Sequence, residues 1–337
     1  MRDTLTPMSP RRTLSLLAAL ALMMAACGSP APSASPSGAV CGTAPDSAAA
    51  ATWGDGSKGI APTLTPVLVS NAITCGKARI LFLYLDSANG DVSAPDRKAT
   101  VAFYNLGRDP NKAVVTADGT FVWTIKDERG MYIVDVDLPE AGVWGADFTW
   151  KATNAEGVEQ GESVRMTFSV LDAPTAVAVG QKAPASKTPT ATDVGGDLSK
   201  ISTDATPDPA FYQTSVADAL AAHKPFMLIF ATPKFCTSAQ CGPTLDLFKP
   251  IAAAHPDVTF INVEPYKLQD VGGQLQPILD PNKQNSLIAT DVSNQWGLLN
   301  EPWIFAVDRD GIVRGSYELT ITDAEVNEII PVIKMGG

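Results

Sequence analysis

The sequence predicts two unlike folded regions in one chain, an all-β sandwich followed by an α/β domain. Three observations predict it. Residues 55–171 alternate apolar and polar positions with period two, and residues 198–337 alternate helical spacing with continuous apolar runs. Between them, residues 172–197 are rich in Pro, Thr and Ala and read as a linker. The length of 337 residues suits two domains. With 45% apolar and 18% charged residues, the chain is too apolar to be disordered. A net charge of −11 argues against nucleic acid as a partner, because phosphate binding needs a basic face.

The N-terminus reads as an export signal. Arg2, Arg11 and Arg12 precede an apolar stretch from Thr13 to Ala26, which ends at Cys27. A helix of that length rises about 21 Å, short of the roughly 30 Å hydrocarbon core. A basic start, a short apolar run and small residues at a cleavage point mark a signal peptide, assigned to residues 1–26. Met24-Ala25-Ala26-Cys27 resembles a bacterial lipobox, which implies lipid on Cys27 and a position on the outer face of the cytoplasmic membrane. Arg11-Arg12-Thr13-Leu14 also leaves a twin-arginine signal open. Removing the signal takes away three Arg and one Asp, so the remaining chain is more acidic still. Residues 27–54, mostly Pro, Ala, Ser and Gly, read as the tether between lipid and folded body.

In the first region the runs 78–86, 99–106, 120–126, 131–138, 145–153 and 163–171 are rich in β-branched and aromatic residues. Asn89-Gly90, Asp118-Gly119, Arg129-Gly130 and Glu156-Gly157 punctuate them. Six or seven short strands without helical spacing predict an immunoglobulin-like sandwich as an architecture; the Cys-Trp-Cys spacing of antibody domains is missing. Cys41 and Cys75 are expected to form a structural disulfide outside the cell. Trp123, Trp144 and Trp150 are expected in packing, and no nucleophile or ligand cluster stands out.

The second region reads α, β, α, β, α, β, β, α. Residues 216–223, 244–255, 291–298 and 322–335 have helical spacing, with Thr or Ser caps and prolines at 250 and 331. Residues 225–232 and 258–264 are apolar runs of the kind buried on both faces of a sheet. Asp310-Gly311 predicts a hairpin between two further strands. The polar segment 265–290 reads as a long loop able to cap a site.

The chemistry concentrates between the first apolar run and its following helix, where Cys236 and Cys241 stand with four residues between them. A helix N-terminus carries about half a positive charge, which favours a thiolate, the attacking species of disulfide exchange. Cys241-Gly242-Pro243 resembles the CGP of thioredoxin active sites. Trp296-Gly297-Leu298 with Pro302 is similar to the segment that presents the family's cis-proline, and residues 179–184 (VGQKAP) resemble the lead-in of the TlpA and peroxiredoxin branches. The resemblance implies a thioredoxin-like C-terminal fold, with catalytic Cys236 and Cys241 and a substrate groove shaped by Trp296, Glu301 and Pro302. It covers the C-terminal half.

Several positions depart from that pattern. Anchored on CGP, Cys241 attacks and Thr244 falls at the resolving position, so Cys236 resolves from the loop. The family's buried Asp would align near Ile229, and Glu301 would put a like charge beside the thiols. A Q-type peroxiredoxin alignment, through Thr232-Pro233 and Cys236-Thr237, reverses the roles but lacks the Arg that family needs. Sco-type copper delivery would need a downstream His, and His223 and His255 lie elsewhere, beside prolines.

The expected function is therefore membrane-anchored thiol–disulfide exchange, with no cofactor and no metal. The expected partners are protein thiols or disulfides, or a membrane redox partner, with membrane contact through the lipid only. The alternative is a non-catalytic binding or scaffold lipoprotein in which Cys236–Cys241 is structural.

Overall fold

A computed structural model describes residues 41–54 and 62–336. The signal at 1–26, Cys27 and the first part of the tether lie outside the described residues. The strands of the first half are β1 (Thr65–Leu68), β2 (Gly76–Leu85), β3 (Lys98–Asn105), β4 (Val115–Asp118), β5 (Thr120–Ile125), β6 (Arg129–Leu138), β7 (Gly142–Thr153) and β8 (Glu159–Val170). They form two four-stranded antiparallel sheets, ordered β1-β2-β6-β5 and β4-β3-β7-β8, in an immunoglobulin-like arrangement. Period-two alternation sends Phe82, Tyr84, Tyr132, Phe103, Trp144 and Phe148 into one shared core.

The run that ends at Asp118 does not turn back on itself. β4 belongs to one sheet and β5 to the other, so Gly119 carries the chain across the core. A Cβ there would sit 3.1 Å from that of Tyr132 and 3.2 Å from the Phe82 ring, so any side chain at the crossing would have to push its neighbours back by a few tenths of an ångström. Of the three tryptophans expected in packing, Trp144 and Trp150 are buried, whereas Trp123 is 42% exposed.

The second part of the tether is not a spacer. Cys41 is bonded to Cys75, the Ala44 amide donates to Ala141 at 2.8 Å, and Ser47 caps a short 3₁₀ turn. Trp53 is buried against Tyr104, with the Arg165 guanidinium over its indole. Residues 41–54 therefore belong to the sandwich. Their small residues offer no periodic signal, and one cysteine and one tryptophan hold them down.

The second half contains α1 (Val216–Ala221), β9 (Phe226–Phe230), α2 (Cys241–Ala254) and β10 (Thr259–Val263). Then come the hairpins β11 (Leu268–Val271) with β12 (Gln274–Pro277) and β13 (Leu279–Asp280) with β14 (Ser286–Leu287). α3 (Asp291–Trp296), β15 (Trp303–Val307), β16 (Val313–Glu318) and α4 (Asp323–Met335) complete it. The sheet runs β10-β9-β15-β16, with β9 and β10 parallel and the other pairs antiparallel. Met227 and Ile229 face α2 and α4, while Phe226, Leu228 and Phe230 face α1 and α3, which accounts for the uninterrupted apolar run.

The predicted class of a sandwich plus an α/β thioredoxin-like domain is corrected here. The described chain is mostly β, 38% strand against 19% helix. Among the described residues, two of the four α-helices, α1 and α3, are only six residues long. The segment 265–290, read as a loop, forms two hairpins instead. Helical spacing over six to eight residues overstated the helices, and short polar strands beside Gly272-Gly273 gave no apolar signal.

Residues 172–197 are likewise packed, not a free linker. Val177 donates to Trp296 O at 3.1 Å, Gly180 to Val313 O at 2.8 Å and Ala183 to Gly311 O at 2.8 Å. Ala176 and Val177 are buried against the second sheet. The two halves also touch directly, with Leu81, Met131 and Leu319 in one small apolar cluster. Among the described residues no helix is long and apolar enough to cross a membrane.

Candidate functional site

β9 ends at Phe230, and the chain crosses Thr232-Pro233-Lys234-Phe235 to reach Cys236 before turning into α2 at Cys241. α2 thus starts three residues earlier than its apolar spacing indicates, and Cys241 is its first helical residue. Cys236 and Cys241 form a disulfide with their Cα atoms 6.0 Å apart. Cys241 is fully buried and belongs to the core that includes Leu245 and Phe248. Cys236 is only partly buried, and its sulfur accepts the Cys241 N–H at 3.2 Å, with the Ser238 hydroxyl 3.3 Å away.

Glu301 closes the site from the opposite side. It is 1% exposed, and its carboxylate accepts the Thr237 N–H at 2.9 Å and the Thr237 hydroxyl at 2.8 Å. The Tyr266 hydroxyl donates to its other oxygen. Burial first, and then the bond and charge of Glu301, hold the Tyr266 hydroxyl well above the usual phenol range. Ser238 donates to the Glu301 carbonyl at 2.9 Å, so the cysteine loop is fastened to residue 301 through both backbone and side chain. The Glu301–Pro302 peptide is cis, and Pro302 is buried at the start of β15. The sulfurs of Cys236 and Cys241 and a Glu301 oxygen all lie within 4.8 Å of one another. Sequence reasoning thus named three residues that the fold brings together.

Trp296 lies elsewhere. It is fully buried on the other face of the sheet, 4.6 Å from the Phe305 ring, and its indole N–H donates to Ser186 at 3.2 Å. It packs the core and does not line the groove by the cysteines. A cavity of about 510 Å³, lined by Thr237, Tyr266, Leu287, Leu298, Leu299 and Asn300, adjoins the cysteine loop at Thr237, while neither cysteine, Glu301 nor Pro302 lines it. Segment 265–290 borders it, as expected of a cap, although through a hairpin. Among the histidines, His223 meets the Arg309 carbonyl and His255 ends α2, both away from the cysteines.

The residues that sequence reasoning missed are Tyr266, Thr237 and Glu264. Glu264 follows the last residue of β10 and is buried. Its carboxyl accepts the Thr203 N–H at 2.6 Å, while Oε2 has no partner. Burial pushes it up to about 7 against hydrogen bonds from Thr232 and Thr203, with Asp204 adding to the rise. Thr203 in turn accepts the Lys234 N–H at 3.3 Å, so this acid braces the base of the cysteine loop. A charge closing the apolar run 258–264 is the signal that could have marked it.

The remaining pair, Cys41–Cys75, closes a longer loop, with a sequence separation of 34 against 5 for Cys236–Cys241. The chain-entropy model gives the longer loop about 4 kcal/mol and the shorter about 2 kcal/mol. The first pair is the structural staple, and the second holds much less by this effect.

Comparisons with known proteins add little. No protein-family model matches the chain, and no curated protein matches it. Among solved structures it is similar to MtrC from Shewanella baltica OS185, at 13% identity and a TM-score of 0.23. That match covers 59% of this chain and spans about a third of the other, 33%. A likeness this distant carries no argument about fold or activity.

Proposed function

We propose that the protein is an extracytoplasmic thiol–disulfide oxidoreductase acting through Cys236 and Cys241, tethered to the outer face of the cytoplasmic membrane by lipid on Cys27. One observation carries the reading. The two sulfurs meet at the N-terminus of α2, and the more accessible one accepts a helix N–H. The likeness of Cys241-Gly242-Pro243 to thioredoxin active sites supports it at the level of motif only.

In the reduced protein the Cys236 thiolate attacks one sulfur of a substrate disulfide. A mixed disulfide forms and the other substrate sulfur leaves as a thiolate. The Cys241 thiolate then attacks Cys236, re-forming the internal disulfide and releasing the second substrate thiol. Two electrons pass from the pair to the substrate, and the same steps run backwards oxidise a substrate dithiol. This assignment makes Cys236 the attacking residue, since Cys241 is fully buried. Partners are protein thiols or disulfides, or a membrane redox partner.

The competing reading is a scaffold in which the pair is a permanent bond, and the complete burial of Cys241 favours it. Trapping separates the two. With a disulfide-bonded protein substrate, C241S accumulates a mixed disulfide through Cys236, whereas C236S does not. A pair that stays oxidised in glutathione buffers, with a potential below about −300 mV, makes the bond structural and overturns the proposal.

A further inference from the structure

Reduction of the Cys236–Cys241 bond would leave an unusual set of donors in one place. Two sulfurs and a carboxylate oxygen lie within 4.8 Å of one another, with Cys241 fully buried and Glu301 1% exposed. The groups that bond the carboxylate are the N–H and hydroxyl of Thr237 and the hydroxyl of Tyr266, none of them a cation. Two thiolates beside that buried carboxylate would concentrate negative charge in one place. A divalent cation offsets it.

We propose that the reduced protein binds zinc(II) through Cys236, Cys241 and Glu301. The donor types select the metal. Thiolates disfavour magnesium and calcium, which take oxygen ligands, whereas two thiolates alone satisfy copper(I) and leave the carboxylate without a part. Zinc accepts sulfur and oxygen together in a tetrahedral set. Two sulfurs on one zinc at about 2.3 Å stand about 3.8 Å apart, a spacing that cysteines with Cα atoms 6.0 Å apart can reach. Thr237 and Tyr266 orient the carboxylate, as outer partners of metal ligands do; Oε1 accepts both Thr237 donors, while Oε2 accepts only from Tyr266 and keeps a lone pair for the metal. Thr237 and Tyr266, which bond the carboxylate, also line the neighbouring cavity, and the fourth position takes water or an exogenous ligand.

The chemistry balances in two steps. A dithiol gives two electrons and two protons to the disulfide and becomes a disulfide itself, or a phosphine with one water becomes the phosphine oxide; either route leaves two cysteine thiols. Zinc then binds both sulfurs and two protons leave. The inference rests on the exchange reading in one respect only, that the pair can be reduced.

The test uses the full chain, reduced with a phosphine and freed of it without air, then titrated with zinc(II) against a chromophoric chelator. A thiol count precedes the titration. No free thiol from Cys236 and Cys241 in the folded protein overturns the exchange reading and this one together. Two thiols with no more zinc uptake than the oxidised protein overturns the zinc site alone. The expected result is one zinc per chain in the reduced form and none in the oxidised form. E301Q is expected to weaken binding at least tenfold and C236S at least a hundredfold, while E301Q binding equal to wild type overturns the donor set. Cobalt(II) on the wild-type chain gives a reading independent of variant folding. Charge-transfer absorption of two thiolates supports the site, and its absence overturns it.

Discussion

Arg79 of β2 and Glu325 of α4 form a two-pronged ion pair, Nε to Oε1 at 2.6 Å and Nη2 to Oε2 at 3.1 Å. The two residues come from opposite halves of the chain, and the same carboxylate accepts the Thr322 N–H at 2.7 Å as part of the α4 capping box. One side chain therefore both starts the last helix and fastens it to the sandwich. The pair is largely shielded, with side-chain exposures of 14% and 23%, so its bonds are worth more than those of a surface pair.

Removing either partner should separate these two roles. R79A loses the cross-link but keeps the cap, with an expected loss of about 1–2 kcal/mol. E325A loses both and should lose about 2–3 kcal/mol, while E325Q, which can still accept from Thr322, should resemble R79A. Urea unfolding of the single variants and of R79A/E325A checks this. The double variant should cost less than the sum of the two single alanine variants, and strict additivity would show that the residues do not act together.

Gly297 is a second point where one position holds two segments. It ends α3 in the left-handed region at φ 69°, and a Cβ there would run into the carbonyl of Thr175. G297A is therefore expected to cost about 3 kcal/mol or more, through backbone strain and displacement of residues 174–178. G180A is the control, since Gly180 also has positive φ but open space around it, and should cost about 1 kcal/mol. Hydrogen exchange at the Val177 amide, which bonds Trp296, should speed up in G297A and stay slow in G180A.

What could be read from the sequence follows from how each signal arises. The strands β2, β3, β6, β7 and β9 were legible because burial on one or both faces writes itself into apolar spacing. β1 and β4, at four residues, are too short to show a period. The packed run 172–197 was hidden because its hold is backbone pairing with β16 and its neighbours, which leaves no side-chain pattern. At the site, Cys236, Cys241, Glu301 and Pro302 stood out by type and spacing. Tyr266 and Thr237 could not, since their roles come from contacts with Glu301 between residues 35 and 64 positions apart. Trp296 was misplaced for the opposite reason: its motif is local, but the side chain points to the far face of the sheet.

Glu264 gives the fold a pH dependence of definite sign. Burial raises its folded-state value to about 7, above the ordinary 4.5 expected in the unfolded chain. Between those values the folded protein holds a proton that the unfolded one has lost. The stabilisation is complete below about pH 4.5 and fades as pH rises through about 7. Its full size is on the order of 3 kcal/mol. Among the charged neighbours Asp204 adds to the rise, and that carboxylate is itself paired with Lys249 at 3.0 Å. In E264Q the neutral amide imitates the protonated acid, so the variant should gain on wild type between about pH 4.5 and pH 7 and level off above that. Any constant offset from the amide packing cancels in that difference. Urea midpoints of both proteins across this range check it, and parallel curves would show that Glu264 ionises in the folded state as readily as in the unfolded one.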